Sequence, residues 1–244
     1  MWSKQQIIYH QKAAKLLIKI KDLTLKYIQK NKNISEHGVQ QFILKQFDKY
    51  NLIMDNYKPI VAFGENTAFM HYFPKKKSKV LQPENLILLD IWARLKIRNA
   101  PFADITWMAY YGEYVPTKIQ RVFKIVIRAK EKSLSYVGKQ LLEGVMPTGR
   151  EIDMVMEKVV TDSGFFQNIL HRTGHSLGVT NDHGREPGIS IKNKQRIHKN
   201  LGYTIEPGIY LPGDFGVRSE IDFYVSSDDK LIVTTGSQKE ITII

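Results

Sequence analysis

The sequence of 244 residues contains no cysteine. This absence excludes disulfide bonds and thiolate metal sites, so any metal must be held by histidine, aspartate and glutamate side chains. Long apolar runs are also missing, since no stretch reaches the roughly 18–20 residues that a membrane-spanning helix needs. The first residues, MWSKQQIIYHQKAAKLLIKIKDL, contain too many lysines for the apolar core of a signal peptide. We therefore expect a cytoplasmic protein without a membrane partner.

Acidic residues are scarce, with 24 Asp and Glu against 36 Lys and Arg, which gives a net charge of +12. Such an imbalance favours either an anionic partner, such as nucleic acid, or a lysine-rich solvated surface. The lysine run KKKSK at residues 75–79 has no interleaved aromatic side chains, and the lysines of residues 4–32 are spread out. We favour the solvated surface and do not expect a nucleic-acid partner.

The first half of the chain has the pattern of two helices followed by strands. Apolar residues at helical spacing predict a long helix over residues 3–31, and Ser35 has the position of an N-cap for a second helix. Two apolar runs at residues 85–97 and 102–114 predict strands. The short connection between them, around Pro101, makes an antiparallel pair the expected arrangement.

The second half repeats this order of helices and then strands. A long amphipathic helix follows Pro116, and Thr148 with Glu151 forms a capping box that begins another helix, which Gly164 ends. The last eighty residues are rich in glycine, proline and β-branched residues and predict strands and turns. This order predicts two α+β halves within one domain.

Five ionisable residues stand in apolar, core-like surroundings. Each alone has an ordinary explanation, such as a carboxylate paired with arginine, a hydrogen-bonded structural histidine, or a glutamate exposed at a turn. Burying all five without compensation would be prohibitive, whereas two divalent cations would neutralise them. Hard oxygen ligands with one imidazole suit Mn²⁺, Fe²⁺, Co²⁺ or Zn²⁺. The five residues are Asp90, Asp104, His175, Glu206 and Glu220.

The segments around these residues resemble the pita-bread metallopeptidases, the family of methionine aminopeptidases, Xaa-Pro aminopeptidases and prolidases. The family's ligands follow the order Asp, Asp, His, Glu, Glu, and the resemblance covers nearly the whole chain. It implies an α+β pita-bread fold, with a curved antiparallel sheet, helices on its outer face and two pseudo-symmetric halves. The matching segments are LLDIWA with Asp90, ADITW with Asp104, TGHSLG with His175, IEPGIY with Glu206 and GVRSEID with Glu220.

The resemblance also implies a role for each of the five residues. Asp104 and Glu220 would bridge two divalent ions. Asp90 would complete the ligands of one ion, and His175 with Glu206 those of the other. Glu206 would in addition accept the proton of the nucleophilic water. Manganese is the metal we expect, with cobalt, zinc or iron as alternatives.

Four further residues match substrate positions of the family. His71 in FMHYF would contact the peptide backbone, and His183 in NDHGREP would contact the scissile carbonyl or its oxyanion. His171 matches a pocket position of the proline-specific members, and Arg218 an arginine beside the bridging glutamate. The spacing from His175 to His183 is one residue longer than in the family pattern.

We therefore expect a dinuclear metallo-exopeptidase that hydrolyses N-terminal peptide bonds, with proline after the scissile bond. Residues 1–244 are expected to form a single catalytic domain, without the N-terminal domain that proline-specific members usually carry. The alternatives are a methionine aminopeptidase, a creatinase-like amidinohydrolase, and a non-catalytic pita-bread protein that binds protein or nucleic acid. The complete ligand set favours the enzyme over the binding protein. The expected partner is a peptide substrate, and association into a homodimer is left open.

Overall fold

The computed structural model describes residues 1–244, which begin with two helices as expected. Helix α1 covers Lys4–Lys30 and α2 covers Glu36–Lys49. The Ser35 hydroxyl accepts a hydrogen bond from the Gly38 N–H at 3.1 Å, which confirms the N-cap that its position in the sequence predicts. The apolar side of α1 packs on the first sheet and closes one of the three hydrophobic clusters of the core.

The first sheet is built around the expected antiparallel pair, β3 (Asn85–Leu95) and β4 (Phe102–Tyr111). In its register Asp90 faces Thr106 and Trp92 faces Asp104. Side chains two residues apart, and those directly opposite, share a face of a sheet. Both predicted aspartates therefore lie on the same face, together with a tryptophan and a threonine.

Short strands complete this sheet. Two of them pair antiparallel with β3, and one pairs parallel with the outer side of β4. They are β1 (Leu52–Ile53), β2 (Ile60–Phe63) and, from the end of the chain, β10 (Thr242–Ile243).

The second half begins with α3 (Thr117–Leu142) and α4 (Gly149–Asp162). The Thr148 hydroxyl accepts from the Glu151 N–H at 3.2 Å, and the Glu151 carboxylate accepts from the Thr148 N–H at 2.7 Å. These two bonds are the capping box expected from the sequence. Gly164 follows the helix with a φ of +86°, a left-handed conformation that glycine adopts without strain.

The remaining strands form two small antiparallel sheets beneath these helices. One sheet has three strands and contributes to the core against α3 and α4, and the other is a two-stranded hairpin. Together the sheets and the two helix pairs give the expected α+β architecture with two halves. The strands are β5 (Gly202–Ile205), β8 (Ile221–Val225) and β9 (Leu231–Val233) in the first sheet, and β6 (Gly208–Leu211) with β7 (Phe215–Arg218) in the second.

Polar contacts join the two halves beside the predicted site. The Asp104 N–H donates to Asp222 Oδ2 at 2.9 Å, and the Thr106 hydroxyl donates to Glu220 Oε2 at 2.8 Å. Strand β4 of the first half is thereby fixed against the segment around β8 of the second. Each helix of the chain is too short or too polar to cross a lipid bilayer.

Candidate metal centre

The five residues expected to hold metal lie together. Four of them line a cavity of about 600 Å³, and Glu220 lies beneath it, where ligand atoms of Asp104, His175 and Glu220 are all within 4.8 Å of one another. The chain therefore brings together an imidazole and several carboxylates from both halves. The four lining residues are Asp90, Asp104, His175 and Glu206.

His175 is held by the segment that runs between α4 and β5. Its N–H donates to the Thr204 hydroxyl at 3.0 Å, and its carbonyl accepts from the Thr204 N–H at 2.9 Å. The preceding Gly174 lets the two backbones approach, because a Cβ there would lie 2.1 Å from the Thr204 carbonyl oxygen. Glu206 follows β5 directly, and its Oε1 accepts from the Thr204 hydroxyl at 3.0 Å. Strand β5 therefore positions both residues.

The imidazole of His175 presents a lone pair to acidic groups. Its Nδ1 lies 3.0 Å from the Ser176 carbonyl oxygen, which can only accept, so this bond assigns the proton to Nδ1. The other nitrogen, Nε2, then faces Asp182 Oδ2 and Glu206 Oε1, each at 3.4 Å, and Asp104 Oδ2 at 3.8 Å. Burial lowers the pKa of His175 to about 4, which keeps the ring neutral. A lone pair that faces carboxylates in this way fits a bound cation between them.

Several carboxylate oxygens in the cluster have no hydrogen-bond partner. Asp104 Oδ1 and Glu220 Oε1 are buried in this condition. Burial, together with the negative charges of Glu220 and Asp182, raises the pKa of Asp104 well above its usual value. Burial and the charges of Glu206 and Asp90 do the same to the pKa of Glu220. Buried polar atoms are normally paired, so these oxygens are available as ligands.

Asp90 is neutralised differently, by an arginine. Arg218 Nη2 donates to Asp90 Oδ2, and Arg218 Nε donates to the Thr106 hydroxyl at 3.0 Å. Burial raises the pKa of Asp90 to about 6, although the charge of Arg218 opposes the rise. The Thr106 hydroxyl links Arg218 to Glu220, because it accepts from Arg218 Nε and donates to Glu220 Oε2.

Two acidic residues of the cluster were not expected from the sequence. Asp222 is fully buried, and its place between the apolar residues Ile221 and Phe223 of β8 was a signal that could have found it. Asp182 is 4% exposed, but it lies in the polar segment VTNDHG, which gives no sign of burial. Its pKa is raised well above its usual value, chiefly by burial.

The cluster therefore carries far more negative than positive charge. Six carboxylates are buried or nearly so, and Arg218 is the one arginine or lysine that forms an ion pair with any of them. Such a donor set fits divalent cations, which prefer carboxylate oxygen and imidazole nitrogen. The six are Asp90, Asp104, Asp182, Glu206, Glu220 and Asp222.

The three predicted substrate histidines lie around the same cavity or beside it. His71 and His183 are exposed and line the cavity, and the ring centroid of His183 is 4.0 Å from that of His175. His171 lies at the edge, where its Nε2 is 2.8 Å from the Tyr210 hydroxyl oxygen. Desolvation in and beside the cavity lowers the pKa of all three imidazoles.

A model of metallopeptidase family M24 matches residues 9–227 of this sequence. The chain belongs to this family. Curated relatives include uncharacterized peptidases of Staphylococcus epidermidis and Staphylococcus aureus, which are 28% and 26% identical to the chain over 233 residues. The match covers 95% of this chain and 62% of either relative, so the chain spans less than two thirds of their length.

Solved structures show the same architecture. A prolidase from Thermococcus sibiricus superposes with a TM-score of 0.86 at 27% identity, over 100% of this chain and 62% of that one. A Xaa-Pro dipeptidase from Bacillus anthracis gives a TM-score of 0.85 at 26% identity, over 99% and 63%. The expected pita-bread fold and the family resemblance are thereby confirmed. Membership of family M24 and the donor set together imply the use of divalent metal.

Proposed function

We propose that this chain is the catalytic region of a dinuclear metallo-exopeptidase that cleaves an N-terminal residue from peptides with proline in second position. The observation that carries the proposal is the buried convergence of the His175 lone pair with carboxylates at 3.4–3.8 Å. Membership of a metallopeptidase family supports the reaction class. The prolidase and the Xaa-Pro dipeptidase among the similar structures support the substrate class.

Two ions, rather than one, agree with the charge of the cluster. Six buried carboxylates exceed the charge of Arg218 by more than a single divalent cation can balance. Following the family resemblance, Asp104 and Glu220 would bridge the ions, Asp90 would complete the ligands of one ion, and His175 with Glu206 would complete those of the other. When bound, a metal pair activates a water molecule and polarises the carbonyl of the substrate. We propose Mn²⁺ as the metal, because oxygen ligands dominate the set.

The residues of the chain itself supply the proton transfer and the orientation of the substrate. Glu206 lines the cavity, and its carboxylate would take the proton of the attacking water and return it to the departing amine. His183 would donate a hydrogen bond to the carbonyl oxygen as negative charge develops there. His71, opposite Arg218 in the same cavity, would hold the peptide backbone.

The test is a peptide assay on metal-depleted protein to which Mn²⁺ is returned. The panel contains Ala-Pro, Met-Pro and Ala-Pro-Ala, together with Met-Ala and Met-Ala-Ser for the alternative of a methionine aminopeptidase. We expect cleavage before proline that depends on Mn²⁺ and disappears in Asp104→Asn. Cleavage restricted to the Met-Ala peptides would overturn the substrate class. If the protein binds two ions and still cleaves none of these peptides, the proposed peptidase activity is wrong.

A further inference from the structure

Asp182 brings to the cavity a carboxylate outside the set of five ligands described above. Its side chain lines the cavity and is 4% exposed, whereas its neighbours Asn181 and His183 are both exposed. Asp182 Oδ1 is buried without a hydrogen-bond partner, and Oδ2 lies 3.4 Å from His175 Nε2. The segment therefore turns one acidic side chain inward, toward the imidazole that faces the other carboxylates.

Hydrogen bonds within the loop of residues 178–182, and from it to Asp55, hold Asp182 in this inward position. The Gly178 N–H donates to the Asp182 carbonyl at 2.8 Å, and the loop closes so tightly that a Cβ at Gly178 would lie 2.1 Å from the Asn181 carbonyl oxygen. The Asp182 N–H donates to Asp55 Oδ2 at 3.2 Å, and Asp55 Oδ1 accepts from Trp92 Nε1 at 3.0 Å. Asp55 thus ties the loop to strand β3, two residues from Asp90.

We propose that Asp182 is an additional ligand of the ion held by His175 and Glu206. This inference rests on the proposed metal centre. Ligand atoms that share an ion at about 2.0–2.2 Å are about 3–3.6 Å apart in octahedral or tetrahedral arrangements. His175 Nε2 lies 3.4 Å from Asp182 Oδ2 and 3.4 Å from Glu206 Oε1, so both carboxylates have the separation of ligands to one ion.

The geometry distinguishes Asp182 from Asp222, the other unexpected carboxylate. Asp222 Oδ2 is occupied by the Asp104 N–H at 2.9 Å, and its side chain is absent from the cavity wall. It lies behind Asp104 and positions that residue. Asp182 instead lines the cavity, and its Oδ1 has no hydrogen-bond partner that would compete with a metal ion.

The experiment measures metal binding directly, on the full chain. Metal-depleted wild type, Asp182→Asn and a control, Glu186→Gln, are titrated with Mn²⁺ in a calorimeter, and the absorption spectrum of each is recorded with Co²⁺. Glu186 belongs to the same segment and loses the same charge, but it is exposed and pairs with His198 at 3.7 Å. We expect Asp182→Asn to weaken one of two Mn²⁺ sites about tenfold or more and to change the Co²⁺ spectrum, with Glu186→Gln like wild type.

Each outcome separates this inference from the proposed function. Two sites with unchanged affinities in Asp182→Asn would refute the ligand and leave the dinuclear enzyme intact. A weaker site with the wild-type Co²⁺ spectrum would mean that Asp182 acts through its charge alone, which also refutes it. If wild type itself binds no Mn²⁺, the proposed function and this inference both fail. Asp182→Glu keeps a carboxylate and should recover part of the lost affinity. This variant shows whether the weaker binding of Asp182→Asn comes from the missing carboxylate or from misfolding.

Discussion

At one end of the acidic cluster, Asp90 is paired with the guanidinium of Arg218. At the other end, around Asp182, carboxylates face the lone pair of His175, and no arginine or lysine pairs with them. Arg218 donates to Asp90 and to Thr106, so the first end is neutralised as soon as the chain folds. Around His175 the nearest charged groups are acidic, apart from the neutral ring of His183. The difference teaches that the chain itself neutralises one end, whereas the other end offers its donors to a cation from outside.

The largest expected effect comes from removing the residue shared by both ends. Asp104→Asn should reduce peptidase activity to background and abolish the rise in melting temperature that Mn²⁺ gives the wild type, because ligand binding to the native state stabilises it. Thermal unfolding with and without Mn²⁺, followed by circular dichroism, measures the second effect. Asp162→Asn, which alters only an exposed pair with Lys158, is the control. An intact Mn²⁺-induced rise in Asp104→Asn would contradict the shared role.

The arginine end should respond to mutation in the metal-free protein. Arg218→Met leaves Asp90 buried without its partner, and breaking a buried ion pair from one side costs about 3–5 kcal/mol. We expect the free energy of unfolding in urea to fall by an amount in this range. Asp182→Asn removes charge where no partner exists, so it should leave the metal-free protein as stable as wild type or more so. Equal destabilisation by both variants would remove the contrast between the two ends.

The histidine beside His175, His183, should affect turnover. His183→Ala removes the proposed hydrogen bond to the carbonyl oxygen, and loss of one such donor typically lowers kcat about 10²-fold. KM should change much less, because the bond strengthens in the transition state. Steady-state kinetics on a Xaa-Pro peptide decides this, with the half-exposed His198→Gln as a control. A rise in KM at unchanged kcat would assign His183 to ground-state binding instead.

The smallest effect is a dependence on pH in the absence of metal. The pKa of Asp182 is raised in the folded protein, so the folded state binds protons more strongly than the unfolded state. The free energy of unfolding should therefore fall as pH rises above the usual aspartate pKa, by at most about 1.4 kcal/mol for each pH unit. Asp182→Asn lacks this contribution, so the variant should gain on wild type as pH rises from 4.

The difference in unfolding free energy between wild type and Asp182→Asn removes the contribution of the buried histidines. His10 and His175 have pKa values lowered to about 4 by burial, and they contribute in the opposite direction. A histidine whose pKa is lowered in the folded state makes the protein less stable as pH falls, because the unfolded chain takes up the proton first. His10 lies outside the cluster, and loss of the Asp182 charge only lowers the pKa of His175 further, so both rings are neutral well above pH 4 in either protein and their contributions nearly cancel there. If the difference in unfolding free energy between wild type and Asp182→Asn is constant from pH 4 to 7 without metal, the raised pKa of Asp182 is contradicted.

Much of the framework could be predicted from local patterns in the sequence. The apolar runs at residues 85–97 and 102–114, with the short connection between them, were enough to pair β3 with β4, and the spacing of Thr148 and Glu151 was enough to begin α4. The five proposed ligands followed from motifs in a fixed order. Asp222 was within reach of the same reasoning, because it stands between apolar residues of β8.

Asp182 and its partners could not be found in this way. Its burial depends on a loop closed through Gly178 and on a hydrogen bond to Asp55, which lies 127 residues away in the chain. Local sequence carries no information on such contacts, since Asp182 stands among polar residues typical of an exposed turn. The extra residue between His175 and His183 was the visible sign, and only the folded loop shows which side chain it turns inward.

The bond between Trp92 and Asp55 has an experimental consequence. The indole is 8% exposed, lies against the cavity, and is linked through one carboxylate to the backbone of Asp182. A shift of the loop should therefore change the environment of the Trp92 indole, which is an intrinsic fluorophore. With Trp2 and Trp107 changed to phenylalanine, emission from Trp92 would give a label-free optical readout of loop position during turnover.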